Sequence, residues 1–290
     1  MRIAVHGKKF EEKLAKDILL FFDIMARYQI EVKVSASFLP FLQNITSPGE
    51  YDTYHHQDDL NNVDFMFTLG GDGTILEAVT HVGSLEVPII GVNMGRLGFL
   101  ATIGLDQIEY AIKQIINQDY SLDKRVLLRL ESNKELFDGA PIALNDFTIL
   151  KKDTSSMIVV HTYVDGEFLN SYWADGLITS TPTGSTGYSL SCGGPLVLPH
   201  SNNFILTPVS PHNLNVRPMV LGDHSILSFK IDARVENVLI SLDSRSVTIP
   251  SDTELSIRKE GFNACLVKFD GYHPFETLRQ KLLWGQDVRN

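Results

Sequence analysis

Cysteine is scarce in this chain, which has only Cys192 and Cys265 among its 290 residues. Two cysteines are too few for a disulfide framework, and these two lack the paired spacing of a zinc site. No apolar run is long enough to span a bilayer, and the opening residues 1–7 are strand-like rather than typical of a signal peptide. We therefore expect a cytoplasmic protein with reduced thiols and no membrane partner.

Basic residues are also in short supply, because 25 Lys and Arg face 35 Asp and Glu, which gives a formal net charge of -10. Such a surface repels a polyanion over long range, so we expect no nucleic-acid partner. A small phosphorylated ligand remains compatible with this charge, since a local cradle of backbone N–H groups acts at close range.

Strand-like and helix-like segments alternate over the first third of the chain, which is the pattern of a parallel sheet covered by helices. Strands are expected near residues 3–5, 30–34, 63–69 and 87–92, and helices near 10–28, 74–81 and 106–117. The polar, turn-rich residues 41–60, with Pro48-Gly49 at their centre, are expected to form a loop without secondary structure.

Beyond residue 121 the chain changes character, because strand-like segments separated by Gly, Asn and Asp turns dominate up to residue 269. Helical spacing returns over residues 274–283. The sequence therefore predicts an α/β plus β protein. A Rossmann-like α/β domain is expected over residues 1–120, with residues 270–290 packing back on it, and a mainly β, sandwich-like domain over residues 121–269.

Three glycines surround one carboxylate in residues 68–74 (TLGGDGT), where a buried strand is expected to end and a helix to begin. Glycines let backbone N–H groups approach phosphate oxygens, and the helix N-terminus adds positive charge. The stretch is not a Walker A loop, and Leu76 stands where a G-x-G-x-x-G motif has its last glycine. The sequence thus predicts a nucleotide phosphate site outside these two classes.

Asp72 is the unusual residue in this turn. A phosphate ligand repels a carboxylate placed among phosphate-binding amides, unless that carboxylate takes a metal or accepts a proton from an attacking hydroxyl. Both are roles found in kinases. The alternative is structural, a tight strand-to-helix turn in which Asp72 caps the helix.

A second unusual segment covers residues 173–195 (WADGLITSTPTGSTGYSLSCGGP), in which hydroxyl side chains and glycines are concentrated. Hydroxyl and amide donors suit a sugar-phosphate ligand. The alternative is a Ser/Thr-rich surface loop, since these residues are small and prone to turns.

Four separated stretches resemble, in the same order, the motifs of the ATP-NAD kinase family. They are residues 70–74 (GGDGT), 93–100 (NMGRLGFL), the pair Asn145-Asp146, and residues 175–188 (DGLITSTPTGSTGY). The resemblance implies an N-terminal α/β domain and a C-terminal β domain. It further implies a kinase that transfers the γ-phosphoryl group of ATP to the 2′-hydroxyl of the adenosine ribose of NAD, and a homo-oligomer, either a dimer or a tetramer.

The resemblance also implies roles for individual residues. Asp72 would be the catalytic residue that orients or deprotonates the 2′-hydroxyl. The nucleotide-binding residues would be Gly71, Gly73, Asn145, Asp146, Asp175, Thr183, Thr186, Tyr188 and Ser191. Asn145 and Asp146 would hold the ribose, and Asp175 would reach a dinucleotide bound to a neighbouring subunit. No residue is expected to be a dedicated metal ligand, and Mg²⁺ would bridge the oxygens of ATP.

The chain departs from the family pattern at three places. Asp146 replaces the usual Glu, Gly187 stands where many members have Ala, and Trp173-Ala174 replaces more polar residues. The shorter acid at position 146 must lie closer to the ribose or reach it through water. Arg96 lies in a glycine-flanked turn, where a phosphate contact and a solvated loop side chain are equally expected.

Two other functions share part of this evidence. A lipid kinase of the diacylglycerol or sphingosine type has a similar GGDGT turn, but it needs an apolar acceptor cleft, which the hydroxyl-rich segment does not favour. A sensor that binds NAD or NADP without turnover would not need Asp72, whose presence favours an enzyme.

Overall fold

The computed structural model describes residues 1–45, 51–95, 98–152, 157–233, 236–271 and 274–283. The chain divides into two compact units, of which the first contains Met1–Lys124 with Ala264–Asn290 and the second contains Arg125–Asn263. None of the helices in these described ranges is both long and apolar enough to cross a membrane.

The first unit is an α/β layer structure. Its strands are β1 (Arg2–Gly7), β2 (Glu31–Ser35), β3 (Asp52–Tyr54), β4 (Phe65–Gly70), β5 (Ile89–Asn93), β6 (Ile103–Gly104), β7 (Ser121–Arg125) and β20 (Ala264–Lys268). Its helices are α1 (Ala15–Arg27), α2 (Leu39–Leu42), α3 (Asp72–Val82), α4 (Ile108–Ile116) and α6 (Pro274–Leu282), with short 3-10 segments at Glu12–Leu14, Gln57–Leu60, Gly83–Leu85 and Leu105–Gln107.

The strands of this unit form one sheet in the order β3-β2-β1-β4-β5-β20-β7, with β6 paired to β5. The pairs from β3 through to β20 are parallel. β4 is buried over Phe65–Leu69, as expected for an interior parallel strand with helices on its faces. Helix α1 buries Ile18, Phe21 and Met25 in the same core. The predicted α/β fold is confirmed.

The prediction of a loop over residues 41–60 was wrong in part. Asp52–Tyr54 form β3, which pairs with Lys33–Ser35 of β2, and Gln57–Leu60 form a 3-10 turn. A three-residue edge strand has almost no sequence signature, because the backbone bonds of its neighbour and the burial of Tyr54 hold it in place. The central Pro48-Gly49 lies outside the described residues.

The first sheet takes two strands that the sequence assigns to the second domain. β7 and β20 lie at one end of the sheet, and Lys268 Nζ of β20 is 2.6 Å from Asp123 Oδ2 of β7. The first unit therefore extends to Lys124 and resumes at Ala264, rather than ending at residue 120 and resuming at 270. Helix α6 belongs to this unit as well, and Lys281 Nζ lies 5.8 Å from the centre of the Phe99 ring.

The second unit is mainly β. Its strands are β8 (Leu128–Ser132), β9 (Ile142–Ala143), β10 (Asp146–Lys151), β11 (Ile158–Val164), β12 (Glu167–Ala174), β13 (Gly176–Ser180), β14 (Asn203–Val209), β15 (Met219–Gly222), β16 (Leu227–Ala233), β17 (Asn237–Leu242), β18 (Arg245–Pro250) and β19 (Leu255–Lys259). Its helical segments are the 3-10 turns Phe137–Gly139 and Thr183–Thr186 and the short helix α5 (Tyr188–Ser191).

These strands form two antiparallel sheets, in the orders β15-β14-β13-β10-β17-β18 and β12-β11-β16-β19-β8-β9. One apolar cluster contains side chains of both sheets, and Phe147 of the first lies 5.9 Å from Phe229 of the second between ring centres. Two sheets that share a core in this way make a β-sandwich. The predicted sandwich-like domain is confirmed.

Candidate functional site

The glycine-rich turn joins β4 to α3, as predicted. Gly71 caps the helix in an extended conformation, and its carbonyl oxygen accepts the N–H of Thr74 at 2.9 Å. A β-carbon at Gly70 would overlap the Thr74 hydroxyl, whereas Gly71 and Gly73 face open space. The turn therefore needs glycine at position 70 for packing. Gly71 and Gly73 are exposed at the start of α3, where the first backbone N–H groups of a helix can bind an anion.

Asp72 is the first residue of α3, and its carboxylate is held by the backbone of another segment. Oδ2 accepts the N–H of Phe99 at 2.7 Å, and Oδ1 accepts the N–H groups of Leu100 and Ala101, both at 3.0 Å. A carboxylate has about four acceptor positions, so one on Oδ2 remains for a ligand. Asp72 thus has a fixed orientation and can still accept a proton.

A cavity of about 340 Å³ lies beside this turn within the first unit. Its walls come largely from residues at the carboxyl ends of three parallel strands, namely Lys8–Glu11 after β1, Gly70–Gly71 at the end of β4 and Asn93–Gly95 at the end of β5. The neighbours of β1 in the sheet are β2 on one side and β4 on the other, so successive strands are added towards one edge of the sheet up to β3 and towards the opposite edge from β4 onwards. Open α/β sheets bind ligands at such a reversal of strand order, at the carboxyl ends of the strands.

Lys8 and Lys9 add positive charge to this cavity, and the sequence analysis did not single them out. Lys8 Nζ lies 2.6 Å from Glu77 Oε1 on α3. The other oxygen of Glu77 lies 3.3 Å from His6 Nε2, and His6 Nδ1 is 3.2 Å from the Tyr54 hydroxyl. The sequence feature that could have identified Lys8 and Lys9 is the occurrence of two successive lysines directly after β1.

In the second unit, the hydroxyl-rich segment is bonded to the backbone around Asn145. The Thr181 hydroxyl donates to the Leu144 carbonyl at 2.6 Å and accepts the N–H of Gly184 at 3.1 Å. The N–H of Thr181 donates to the Asn145 carbonyl at 2.9 Å. A β-carbon at Gly184 would overlap the Asn145 backbone, so the two segments approach as closely as glycine allows.

The structure brings Asn145, Asp146 and Gly187 together. A β-carbon placed on Gly187 would lie 3.7 Å from Asn145 Nδ2 and 3.7 Å from Asp146 Oδ2. Asp146 is 6 % exposed, and burial, followed by the charge of Asp243, raises the pKa of its carboxyl group to about 7. Near neutral pH this side chain is therefore distributed between its protonated and ionised forms.

The remaining predicted residues of this unit lie on the same segment or beside it. Tyr188 and Ser191 of α5 are exposed, and burial, followed by Cys192, Asp146 and Asp175, raises the pKa of the Tyr188 hydroxyl. Asp175 pairs with Lys151 at 2.7 Å. Two of the predicted residues take part in internal bonds: the Thr186 hydroxyl donates to the Thr183 carbonyl at 3.2 Å, and the buried Thr183 hydroxyl accepts from Arg125 at 3.0 Å.

Metal ligands are not grouped in the described part of the chain, where no three His, Cys, Asp or Glu side chains could hold an ion together. Arg96, whose role the sequence left open, lies outside the described residues. Asp243, a hydrogen-bond acceptor for the backbone of residues 144–146, was missed by the sequence analysis. The only sequence signal for Asp243 is that an aspartate, a residue that favours turns, stands between two strands.

Comparison with known proteins gives matches over both units. Residues 22–120 match the ATP-NAD kinase N-terminal domain, and residues 144–273 match the ATP-NAD kinase C-terminal domain. The NAD kinases of Cytophaga hutchinsonii and Christiangramia forsetii are 48 % and 42 % identical to this chain, each over the whole of both sequences.

Two solved structures have a similar fold. Yeast NADH kinase, complexed with NADH, superposes with a TM-score of 0.87 at 24 % identity, over 100 % of this chain and 89 % of the yeast chain. An NAD kinase from Archaeoglobus fulgidus, in complex with ATP, gives a TM-score of 0.77 at 26 % identity, over 98 % of this chain and 99 % of the archaeal chain.

Proposed function

This chain belongs to the ATP-NAD kinase family, and we propose on that premise how its residues carry out the reaction. It is a kinase that transfers the γ-phosphoryl group of ATP to the 2′-hydroxyl of the adenosine ribose of NAD, giving NADP and ADP. The observation that carries the assignment of roles is the turn before α3, where Gly71 and Thr74, on either side of Asp72 in the sequence, line a cavity at the carboxyl ends of β1, β4 and β5.

The cavity of the first unit takes the phosphates of the donor in this proposal. The backbone N–H groups of the exposed residues Gly71 and Gly73 at the N-terminus of α3, together with the ammonium group of Lys8, would supply the donors that a triphosphate requires. In phosphoryl transfer the protein chiefly positions the reacting groups and neutralises the negative charge of the phosphates, and these donors would do both.

Asp72 is the proposed catalytic residue. Three backbone N–H groups fix its carboxylate, and the free acceptor position on Oδ2 takes the hydrogen bond from the 2′-hydroxyl. The proton moves to this oxygen as the bond to phosphorus forms, and the oxygen between the β- and γ-phosphorus atoms leaves with ADP. A fixed carboxylate orients the hydroxyl at no further cost in side-chain entropy.

The second unit holds the dinucleotide in this proposal. Asn145 and Asp146 bind the ribose hydroxyls, and Thr186, Tyr188 and Ser191 line the pocket for the adenosine. Thr183 acts from the interior, because its carbonyl holds Thr186. The proximity of Asn145 and Asp146 to Gly187, and the exposure of Tyr188, support these roles.

The divalent cation comes with the nucleotide. Within the described residues no acidic cage exists, and three of about four acceptor positions of Asp72 are occupied. This donor set fits Mg²⁺ bound chiefly to phosphate oxygens and water, which is the usual arrangement for this ion. The chemistry that Mg²⁺ would supply there is neutralisation of the triphosphate charge.

A homo-oligomer, a dimer or a tetramer, is also proposed. β12 and β15 stand at the edges of the two sheets of the second unit, and they expose Phe168, Trp173, Met219 and Val220. Exposed apolar side chains on edge strands favour contact with a second copy. Sedimentation velocity should give a multiple of 32.4 kDa, and Phe168→Lys should shift the protein towards the monomer. Asp175, which directly follows β12, would then reach the neighbouring subunit.

A cytoplasmic location is proposed as well, and the two free thiols, Cys192 and Cys265, are compatible with it.

The test is the formation of NADP from ATP, Mg²⁺ and NAD by the purified protein, measured with an NADP-specific dehydrogenase. The wild type should make NADP. Asp72→Asn should lower kcat by about 10²-fold to 10⁴-fold while NAD still binds, because the amide cannot accept the proton. A wild type that binds both nucleotides without forming NADP would contradict the assignment.

A further inference from the structure

Asp243 occupies the turn between β17 and β18, and it holds the backbone that presents Asn145 and Asp146. Its Oδ1 accepts the N–H groups of Asn145 at 2.8 Å and Asp146 at 3.1 Å, and its Oδ2 accepts the N–H of Leu144 at 2.9 Å. In return, the N–H of Asp243 donates to the Asp146 carbonyl at 2.9 Å. Two acidic residues 97 positions apart in the sequence are thereby fixed next to each other.

The two carboxyl groups have different surroundings. Three N–H donors point at Asp243, and the guanidinium of Arg245, which itself faces Asp138, adds positive charge beside it. No donor among the described residues bonds to the carboxyl group of Asp146, which is buried. Donors and a cation stabilise an ionised carboxylate, and a nearby negative charge disfavours a second one. When the two carboxyl groups carry one proton between them, the favoured state therefore has Asp146 protonated and Asp243 ionised.

The other groups around the pair support this assignment. Burial raises the pKa of the Asp146 carboxyl group to about 7, and the charge of Asp243 acts in the same direction. The pKa of Asp243 is raised as well, because burial outweighs the lowering effect of its three N–H donors and of Arg245. The ionised form is favoured at Asp243 by the difference in donors, which number three on Asp243 and none, among the described residues, on the Asp146 carboxyl group. Tyr188 and Cys192 face Asp146, and burial raises the pKa of both, so they stay neutral near pH 7.

We propose that Asp243 is a positioning residue that raises the protonated fraction of Asp146, and that the protonated Asp146 donates a hydrogen bond to a ribose hydroxyl oxygen of bound NAD. This proposal rests on the proposed role of Asn145 and Asp146 in holding the ribose. A neutral Asp146 adds no repulsion towards the negatively charged pyrophosphate of the dinucleotide. It also supplies a donor, which an ionised carboxylate cannot.

The experiment is isothermal titration calorimetry of NAD against the full-length protein at pH values from about 5.5 to 8.5. Below the pKa of Asp146 the wild-type Kd for NAD should not change with pH. Above that pKa the Kd should increase with pH, by up to about tenfold for each pH unit. Asp146→Asn, whose amide is a permanent neutral donor, should bind NAD within about threefold of the wild type at low pH and should lose this rise. Asp243→Asn removes the negative charge beside Asp146, and asparagine tolerates the positive φ of 53° at this position. In this variant the increase of Kd should begin about one pH unit lower.

Asp165→Asn is the matched control, because Asp165 is also a turn aspartate with positive φ, of 51°, whose side chain accepts a backbone N–H. It should leave the pH dependence of NAD binding at its wild-type midpoint. A uniform loss of affinity in Asp243→Asn without a shift of the midpoint would make Asp243 purely structural and overturn the proposal. A large loss of NAD binding by Asp146→Asn at low pH would also overturn the proposal. This second outcome can be measured even if Asp243→Asn does not fold.

Binding and turnover separate this inference from the assigned activity. Calorimetry reports NAD affinity whether or not NADP forms, so a failure of the kinase assay leaves this test valid. Conversely, an active enzyme whose NAD affinity does not change between about pH 6 and 8.5 would keep its assigned activity and refute the protonated Asp146.

Discussion

Gly98 lies directly against Asp72, so that a β-carbon at position 98 would overlap the carboxylate oxygen Oδ1. The next three residues, Phe99, Leu100 and Ala101, supply the N–H groups that hold the same carboxylate. The segment after β5 therefore sets the position of the proposed catalytic residue, and glycine at 98 is a condition of that position.

Gly98→Ala should displace the Asp72 carboxylate without changing its charge. A displacement of about 1 Å at a reacting group costs roughly 10²-fold in rate, so kcat should fall by about that factor while the Kd for NAD stays near the wild-type value. Gly261→Ala is the control, because a β-carbon there meets no atom within 4 Å. Equal kcat values for the two variants would show that Asp72 tolerates displacement.

Gly184 and Gly187 should respond differently to alanine. At Gly184 the β-carbon overlaps the backbone of Asn145, so we expect Gly184→Ala to lower the free energy of unfolding by about 2 kcal/mol and to weaken NAD binding. At Gly187 the nearest atom is the Gly184 carbonyl oxygen at 3.2 Å, and Asn145 and Asp146 are at ordinary contact distance. Gly187→Ala should therefore cost less than about 1 kcal/mol in urea unfolding. The prediction is wrong if the two alanine variants lose equal stability.

Lys8 should bind the donor rather than the acceptor. Lys8→Met removes a charge from the cavity while keeping the length of the side chain, and we expect the KM for ATP to rise about tenfold with little change in the KM for NAD. Lys13→Met is the control, because Lys13 is 72 % exposed and pairs only with Glu11 among the described residues. Glu77→Gln should raise the KM for ATP less than Lys8→Met does, since it only releases Lys8 from its partner.

His81 should make the protein less stable in acid. Burial, and then the charge of His6, lowers the pKa of His81 from 6.5 to about 4. Below about pH 6.5 the unfolded chain therefore binds a proton at this residue that the folded chain does not. The free energy of unfolding should fall as the pH drops towards 4, by about 3 kcal/mol at most.

The variant His81→Gln should flatten this dependence in urea unfolding between about pH 7 and 5. This range lies above the pKa of Glu77, which its bonds to His6 and Lys8 lower to about 2 against the effect of burial. The exposed His55, replaced in His55→Gln, is the control and should leave the wild-type slope unchanged. An unchanged slope in His81→Gln would assign the acid sensitivity to other groups.

The sequence predicts the parts of the fold whose signal is local. β4 and β5 are continuous apolar runs, and the glycine turn before α3 carries its own chemistry. β7 could not be predicted, because its residues SLDKR are almost all polar and it is held by its place beside β20, more than a hundred residues away. Strand pairing over such a separation leaves no trace in a short window of sequence.

The same limit applies to the candidate site. Asn145, Asp146 and the residues from Thr183 to Ser191 could be proposed from motif order, because each motif is contiguous. Asp243 and the polar chain from Tyr54 through His6 and Glu77 to Lys8 could not, because their members meet only after folding. The protonation of Asp146 depends on burial and on Asp243, neither of which a motif records.

The place of β20 between β5 and β7 imposes an order on events at the ribosome. β7 has no sheet neighbour other than β20 among the described strands, and β20 is synthesised only after the whole of the second unit. The second unit is contiguous in sequence, so it can close its core while the first is still missing an interior strand. β6 pairs with β5 at Val92 and Asn93, but Ile89 of β5 has to wait for Leu266 of β20. The nascent chain must therefore keep this apolar part of the edge of β5 without its strand neighbour through about 170 residues of synthesis, and a chaperone would act there.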